Sequence, residues 1–256
     1  MTLVQASICN NGNSIILIAD RLLTRRISEE NEYEFEGVEP KIVELGKVGI
    51  GFAGISYYGE TIIDTIRDKI GLDEICKGIG EGIKEERNKI IDSITRQLTC
   101  LPRERFFSGN HQVPSKIIEM VYGAVGEVSI NIEFLVTGFD EKNEARIVYI
   151  DDRGNIYDVT NFGVYPIGSG QQFSQMFFDM YEYNISISEI EGLLFAYRAK
   201  KWGEAPRGVG KRTDVLIIRK DGKNTFIKNE DILMKEIEKA FKRENEEIKK
   251  NKKRNI

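Results

Sequence analysis

The chain opens on two apolar runs, residues 3–9 and 13–19, separated by Asn10-Asn11-Gly12. Short apolar runs joined by such a turn predict two buried strands in a hairpin. Residues 42–45 and 48–53 repeat the arrangement around Gly46-Lys47. Gly49, Gly51 and Gly54 make the second of these strands glycine-rich, which marks close backbone approach. The period then changes. Ile62, Ile63, Ile66 and Ile70 fall on one face of a helix, and Ile83, Ile90, Ile91, Ile94 and Leu98 on one face of a second. The segment 101–114, which contains Pro102 and Pro114, breaks that pattern. A short helix follows, with Ile117, Ile118, Val121, Tyr122 and Val125 inward.

A second block of strands occupies Ile130–Thr137, Ala145–Ile150, Ile156–Val159 and Val164–Ile167, with polar turns at 140–143 and 151–154. Two helices come next. One covers about 171–182; the other starts at Ser186, where Glu189 three residues on reads as a capping box. The apolar face of that second helix is Ile187, Ile190, Leu193, Leu194 and Tyr197. A last hairpin, Asp214–Ile218 and Thr225–Ile227, turns on Asp221-Gly222, and a helix from about Asn229 frays into the basic tail Lys249 to Arg254. Elements grouped in runs predict an α+β chain with antiparallel sheets. Two sheets sandwiched between two helical layers satisfy the order.

Composition narrows the function. The 256 residues are 41% apolar, enough for a sizeable core, and the net charge of −4 gives no basic field for nucleic acid. The cysteines Cys9, Cys76 and Cys100 are odd in number and far apart, which fits free thiols in a reducing cytoplasm. The apolar run Ile15 to Ala19 is too short for a signal peptide or a membrane span, so a cytoplasmic chain with no membrane partner is expected. His111 is the only histidine and reads as a loop residue, leaving little material for a histidine-based triad or zinc site. Neither a metal nor a cofactor is expected.

One chemistry is available at the start of the chain. A small hydroxyl residue at position 2 is what remains once Met1 is trimmed. The freed α-amine of Thr2 would titrate at about 7.7–8.0. It could then act as base for the hydroxyl one side chain away.

Several motifs stand in a telling order: Thr2 opening the first strand; Ile18-Ala19-Asp20-Arg21 with Thr24; Lys41-Ile42-Val43; Gly51-Phe52-Ala53-Gly54; Ile167-Gly168-Ser169-Gly170; and Asp214-Val215-Leu216-Ile217. Together they resemble the proteasome β-type subunits and their bacterial relatives among the N-terminal nucleophile hydrolases. The likeness runs from residue 2 to about residue 228, with residues 229–256 as a C-terminal helix and tail and 72–114 as a possible insertion. The resemblance implies a four-layer α/β/β/α sandwich. It implies Thr2 as nucleophile, Lys41 lowering the pKa of its hydroxyl and amine, Asp20 pairing with Lys41, Gly54 as oxyanion donor and Ser169 as proton relay. It further implies that Arg21 supports substrate or a neighbouring loop, a substrate contact from Thr24, a peptide or protein substrate, and assembly as a homo-oligomer. Ser169 also reads as an N-cap for the helix after it.

The chain departs from the family at several points. Leu3 stands where a threonine usually follows the nucleophile, and Met1, rather than a long propeptide, is expected to shield Thr2. The loop 203–213 lacks the family's Asp…Ser-Gly-Gly pattern, leaving Glu204 as the available acidic stand-in. A non-proteolytic amidohydrolase, a peptide ligase and a catalytically silent structural subunit therefore stay open beside the peptidase.

Overall fold

The computed structural model describes residues 2–26, 32–109 and 112–254. Met1 and His111 lie outside them. The strands are β1 (Leu3–Cys9), β2 (Ser14–Asp20), β3 (Leu22–Arg26), β4 (Glu32–Glu36), β5 (Ile42–Leu45), β6 (Val48–Gly54), β7 (Ile132–Phe139), β8 (Ala145–Ile150), β9 (Ile156–Asp158), β10 (Val164–Gly168), β11 (Thr213–Arg219) and β12 (Thr225–Ile227). The helices are α1 (Ser56–Asp64), α2 (Leu72–Thr99), α3 (Arg103–Phe107), α4 (Ser115–Gly126), α5 (Gln171–Met180), α6 (Glu189–Gly203) and α7 (Ile232–Arg254).

Two five-stranded antiparallel sheets form, in the orders β10-β1-β2-β11-β12 and β5-β6-β7-β8-β9. They face each other through Val4, Leu17, Ala19 and Leu216 on one side and Ala53, Leu135 and Ile147 on the other. Both sheets are also covered on their outer faces. Ile62, Ile66, Ile75, Ile79 and Ile83 of the α1–α2 region pack on β6, β7 and β8. Leu193 and Tyr197 of α6, with Met234 and Ile237 of α7, pack on Ile16, Ile18 and Val215. That two-sided cover explains why β1 and β2 are apolar or buried at every position rather than alternating. Fully burying each such aliphatic side chain contributes about 1.5–3 kcal/mol. The mixed α+β class with antiparallel sheets expected from the sequence is what forms.

Several local expectations need correction. A two-stranded ribbon, β3 with β4, lies outside both sheets and has no counterpart in the sequence reading. Asn10-Asn11-Gly12 makes a 3-10 turn with all three residues at positive φ, so the first hairpin closes through residues 10–13 rather than 10–12. The long helix α2 begins at Leu72 rather than near Ile83, and Ile70, 84% exposed, lies between α1 and α2 instead of on a helix face. Segment 101–114 contains the short helix α3. Tyr122 in α4 faces outward.

The capping box is also displaced by two residues. Ser188 is the N-cap, with Glu191 completing the box, and Glu189 turns away to Ser14 and Arg219. The same S-x-x-E spacing occurs at both registers. The carbonyls of Ile185 and Ile187 accept from the amides of Asn11 and Asn10, which commits that stretch to the first hairpin and delays the helix. Ile190 consequently points outward at 72% exposure. At the other end, α7 continues through the basic tail to Arg254 rather than fraying at 249. Among the described residues, no helix is long and apolar enough to cross a membrane.

Candidate active site

The register of the first sheet decides where the site lies. Val4 pairs with Ala19 and Leu3 with Gly168, so the start of β1, the end of β2 and the end of β10 meet at one edge. Thr2 sits just beyond β1 and is buried. Its hydroxyl donates to Asp20 Oδ1 at 2.6 Å and accepts from Lys41 Nζ. Lys41 reaches in from the segment just before β5. It also donates to Leu22 O and to Asp20 Oδ1, the latter at 3.2 Å.

Asp20 is wholly buried and organises this cluster. Oδ1 takes Thr2, Lys41 and the Leu3 amide at 3.0 Å; Oδ2 takes the Leu22 amide at 3.1 Å and the Gly210 amide at 2.6 Å. Burial pulls the Lys41 ammonium below its ordinary range, and the nearby carboxylates of Asp20 and Glu36 oppose that shift.

On the other side of Thr2 stands Ser169. Its Oγ accepts from the Thr2 backbone nitrogen at 3.1 Å and donates to Thr2 O at 3.1 Å. The N-cap of α5 is Gly170, not Ser169, and the Ser169 side chain makes no cap bond. Gly168 permits this contact. It has φ +87°, and a Cβ there would lie 2.4 Å from Thr2 O.

A pocket of about 240 Å³ opens beside these groups, lined by Thr2, Ala53, Gly54, Asn131, Glu133, Asp152 and Ser169 among others. Gly54 ends β6 on its wall, with φ +122°. A Cβ at Gly54 would come within 2.0 Å of Asn131 O. The backbone at Gly54 is thus exposed to the pocket and tolerates no side chain.

Thr2, Asp20, Lys41 and Ser169 are therefore in direct contact, with Gly54 across the pocket. Arg21 is not among them. Its guanidinium points away and grips Asp214 through two bonds of 2.6 and 2.5 Å, with Glu230 and the Val38 carbonyl completing its shell. The pair with Asp214 is buried at both ends, 3% and 0% exposed, and holds Arg21 still higher above its ordinary pKa range. Arg21 thus clamps the end of β2 to β11 and to the neighbouring loops and does not line the pocket, so of its two expected roles the substrate contact is corrected. Asp214→Ala should lower stability by about 3–5 kcal/mol, because it leaves a buried guanidinium without its main partner. A denaturant midpoint within error of wild type would contradict this. Thr24 lies in β3 opposite Glu34, and its side chain lies outside the described residues.

Glu204 makes no direct contact with Thr2. It accepts from Lys200 at 2.5 Å and from Lys201 at 2.8 Å, and the loop instead offers Asp20 the amide of Gly210. Gly210, Lys200, Asn131, Glu133 and Asp152 were all missed from sequence. Lys200 did carry a signal, since it follows Tyr197 by three and Ala196 by four positions on the buried stripe of α6.

The thiols offer no competing nucleophile in the core. Cys9 and Cys76 are both pushed up to about 12 by burial. Cys100 is exposed at the end of α2, away from the pocket lining. No protein-family model matches the chain, and no curated protein matches it significantly.

Proposed function

We propose that the chain is an N-terminal threonine hydrolase that cleaves amide bonds, with a fold of the proteasome β-type and Thr2 freed by loss of Met1. The observation that carries this reading is the contact of Thr2 Oγ1 with Lys41 and Asp20 while the Thr2 nitrogen meets Ser169. A hydroxyl is a weak nucleophile near neutral pH and needs an adjacent base. The freed α-amine would supply that base. It takes the Oγ1 proton as Oγ1 attacks the scissile carbonyl, and Lys41 stabilises the oxygen as negative charge develops. The oxyanion of the tetrahedral intermediate forms facing the backbone of Gly54. Collapse returns the proton from the α-ammonium to the departing amine and leaves an ester on Thr2. Water, deprotonated by the same amine, then resolves the ester. Ser169 holds the amine and relays its proton.

The pocket wall suggests the substrate. Glu133 and Asp152 line it, and neither forms an ion pair with a cationic side chain among the described residues. A peptide that places lysine or arginine there gains charge pairing, and one that places glutamate there meets repulsion.

The test is a pH–rate profile on a fluorogenic lysine or arginine amide. The amine must be neutral, so kcat/KM should rise through an apparent pKa at or below about 8. Lys41 must stay charged, so the rate should fall again at a pKa below the ordinary 10.5 of lysine, because burial lowers it. A rate that decreases from pH 6 upward would remove the amine as base. Faster turnover of the glutamate counterpart would remove the acidic wall as the selecting surface.

A further inference from the structure

We infer that Lys200, together with Glu204, positions Asp20 by anchoring the loop between α6 and β11, in place of the serine and aspartate that the loop lacks. This rests on the reading of Thr2 as nucleophile. Lys200 lies on the buried face of α6 and is 0% exposed. A buried ammonium needs acceptors for its three protons. Lys200 has them in Glu204 Oε1 at 2.5 Å, Gly210 O at 2.7 Å and Lys211 O at 3.2 Å. Two of the three are carbonyls of the irregular loop that follows α6, so the ammonium ties that loop to the helix.

The tie leads directly to the site. Gly210 is held at both ends: its carbonyl by Lys200, and its amide, which donates to Asp20 Oδ2 at 2.6 Å. The next amide, of Lys211, donates to Glu36 Oε1 at 2.7 Å, which fixes the loop from the β4 side. With Gly210 and Leu22 occupying Oδ2, the carboxylate cannot rotate, and Oδ1 is presented to Thr2 and Lys41. Earlier in the same loop, Gly208 O faces Ser169 Oγ at 3.5 Å. The loop thus touches both sides of the nucleophile, and Lys200 is its fixed point. The charged groups facing Lys200 are Glu204, Lys201 and Asp20; burial pulls the ammonium down to about 8 against the pull of Glu204.

A lysine that only stabilised the fold would leave turnover of the folded enzyme intact. A positioning lysine should lower kcat and leave substrate binding alone, because it contacts no part of the pocket. Lys200→Met should therefore reduce kcat about ten- to a hundredfold, since small misplacements of reacting groups cost on that order. KM should stay within about twofold of wild type, and Lys200→Arg, which keeps the charge, should recover part of the loss. The rate at which a β-lactone probe acylates Thr2 should fall in parallel. Where Lys200→Met does not fold, Glu204→Gln is read instead, and its kcat should fall several-fold by loss of the counter-charge. A folded Lys200→Met or Glu204→Gln enzyme with wild-type kcat overturns the inference, as does a change confined to KM. Wild-type protein that the lactone does not label at Thr2 overturns the parent reading, and this inference with it.

Discussion

Lys41→Ala should lose about a hundred- to ten-thousandfold in kcat, the range that a positioned proton-handling group contributes. Lys41 Nζ touches the Thr2 hydroxyl directly, and no other cation does so among the described residues. Without it, nothing stabilises the developing charge on Oγ1 before the amine has taken the proton. The fold should survive. Asp20 would still accept from the Leu3, Leu22 and Gly210 amides and from Thr2, so the buried carboxylate keeps four donors. Lys41→Arg should not restore the rate. A planar guanidinium cannot place one proton where the ammonium meets Thr2, Leu22 O and Asp20 together. Steady-state kinetics beside a denaturation curve separates the two effects. Unchanged turnover in folded Lys41→Ala removes this lysine from the mechanism.

Gly54→Ala should be comparably severe for a different reason. The new methyl would lie 2.0 Å from Asn131 O, on a backbone held at φ +122°. Either the end of β6 or the start of β7 must move, and the wall facing the nucleophile moves with it. If the Gly54 amide serves the oxyanion, its displacement costs about 2.7–4 kcal/mol in the barrier. Backbone strain of about 1–3 kcal/mol adds a loss of stability. Rates normalised to folded protein isolate the first term. A normal normalised rate would take Gly54 out of the oxyanion site.

Much of this arrangement was legible in the sequence through motif order rather than hydrophobic pattern alone. Thr2, Asp20, Lys41, Gly54 and Ser169 were named by the family resemblance, and all lie at or beside the ends of apolar runs. Covered sheets give unbroken apolar stretches, so β2 and β11 stood out. The β3–β4 ribbon did not, because Arg25, Arg26, Glu32, Glu34 and Glu36 give it the composition of a solvated loop. Helix α2 was read short because Gly78, Gly80 and Gly82 interrupt its apolar face. Arg21 looked like a site residue because it belongs to the Ile18-Ala19-Asp20-Arg21 motif, yet it lies between β2 and β3 and its guanidinium goes to Asp214. Lys200 was hidden among neighbouring lysines. Its partner carbonyls belong to a loop whose course no local pattern sets.

In the proposed mechanism Thr2 carries the nucleophile once Met1 is gone. Intact mass of the purified protein, before and after incubation with a β-lactone or epoxyketone, tests it most directly. The expected result is a chain lacking Met1 that gains one adduct, mapped to Thr2 and lost in Thr2→Ala. An active protein that retains Met1, or an adduct that survives Thr2→Ala, would contradict it.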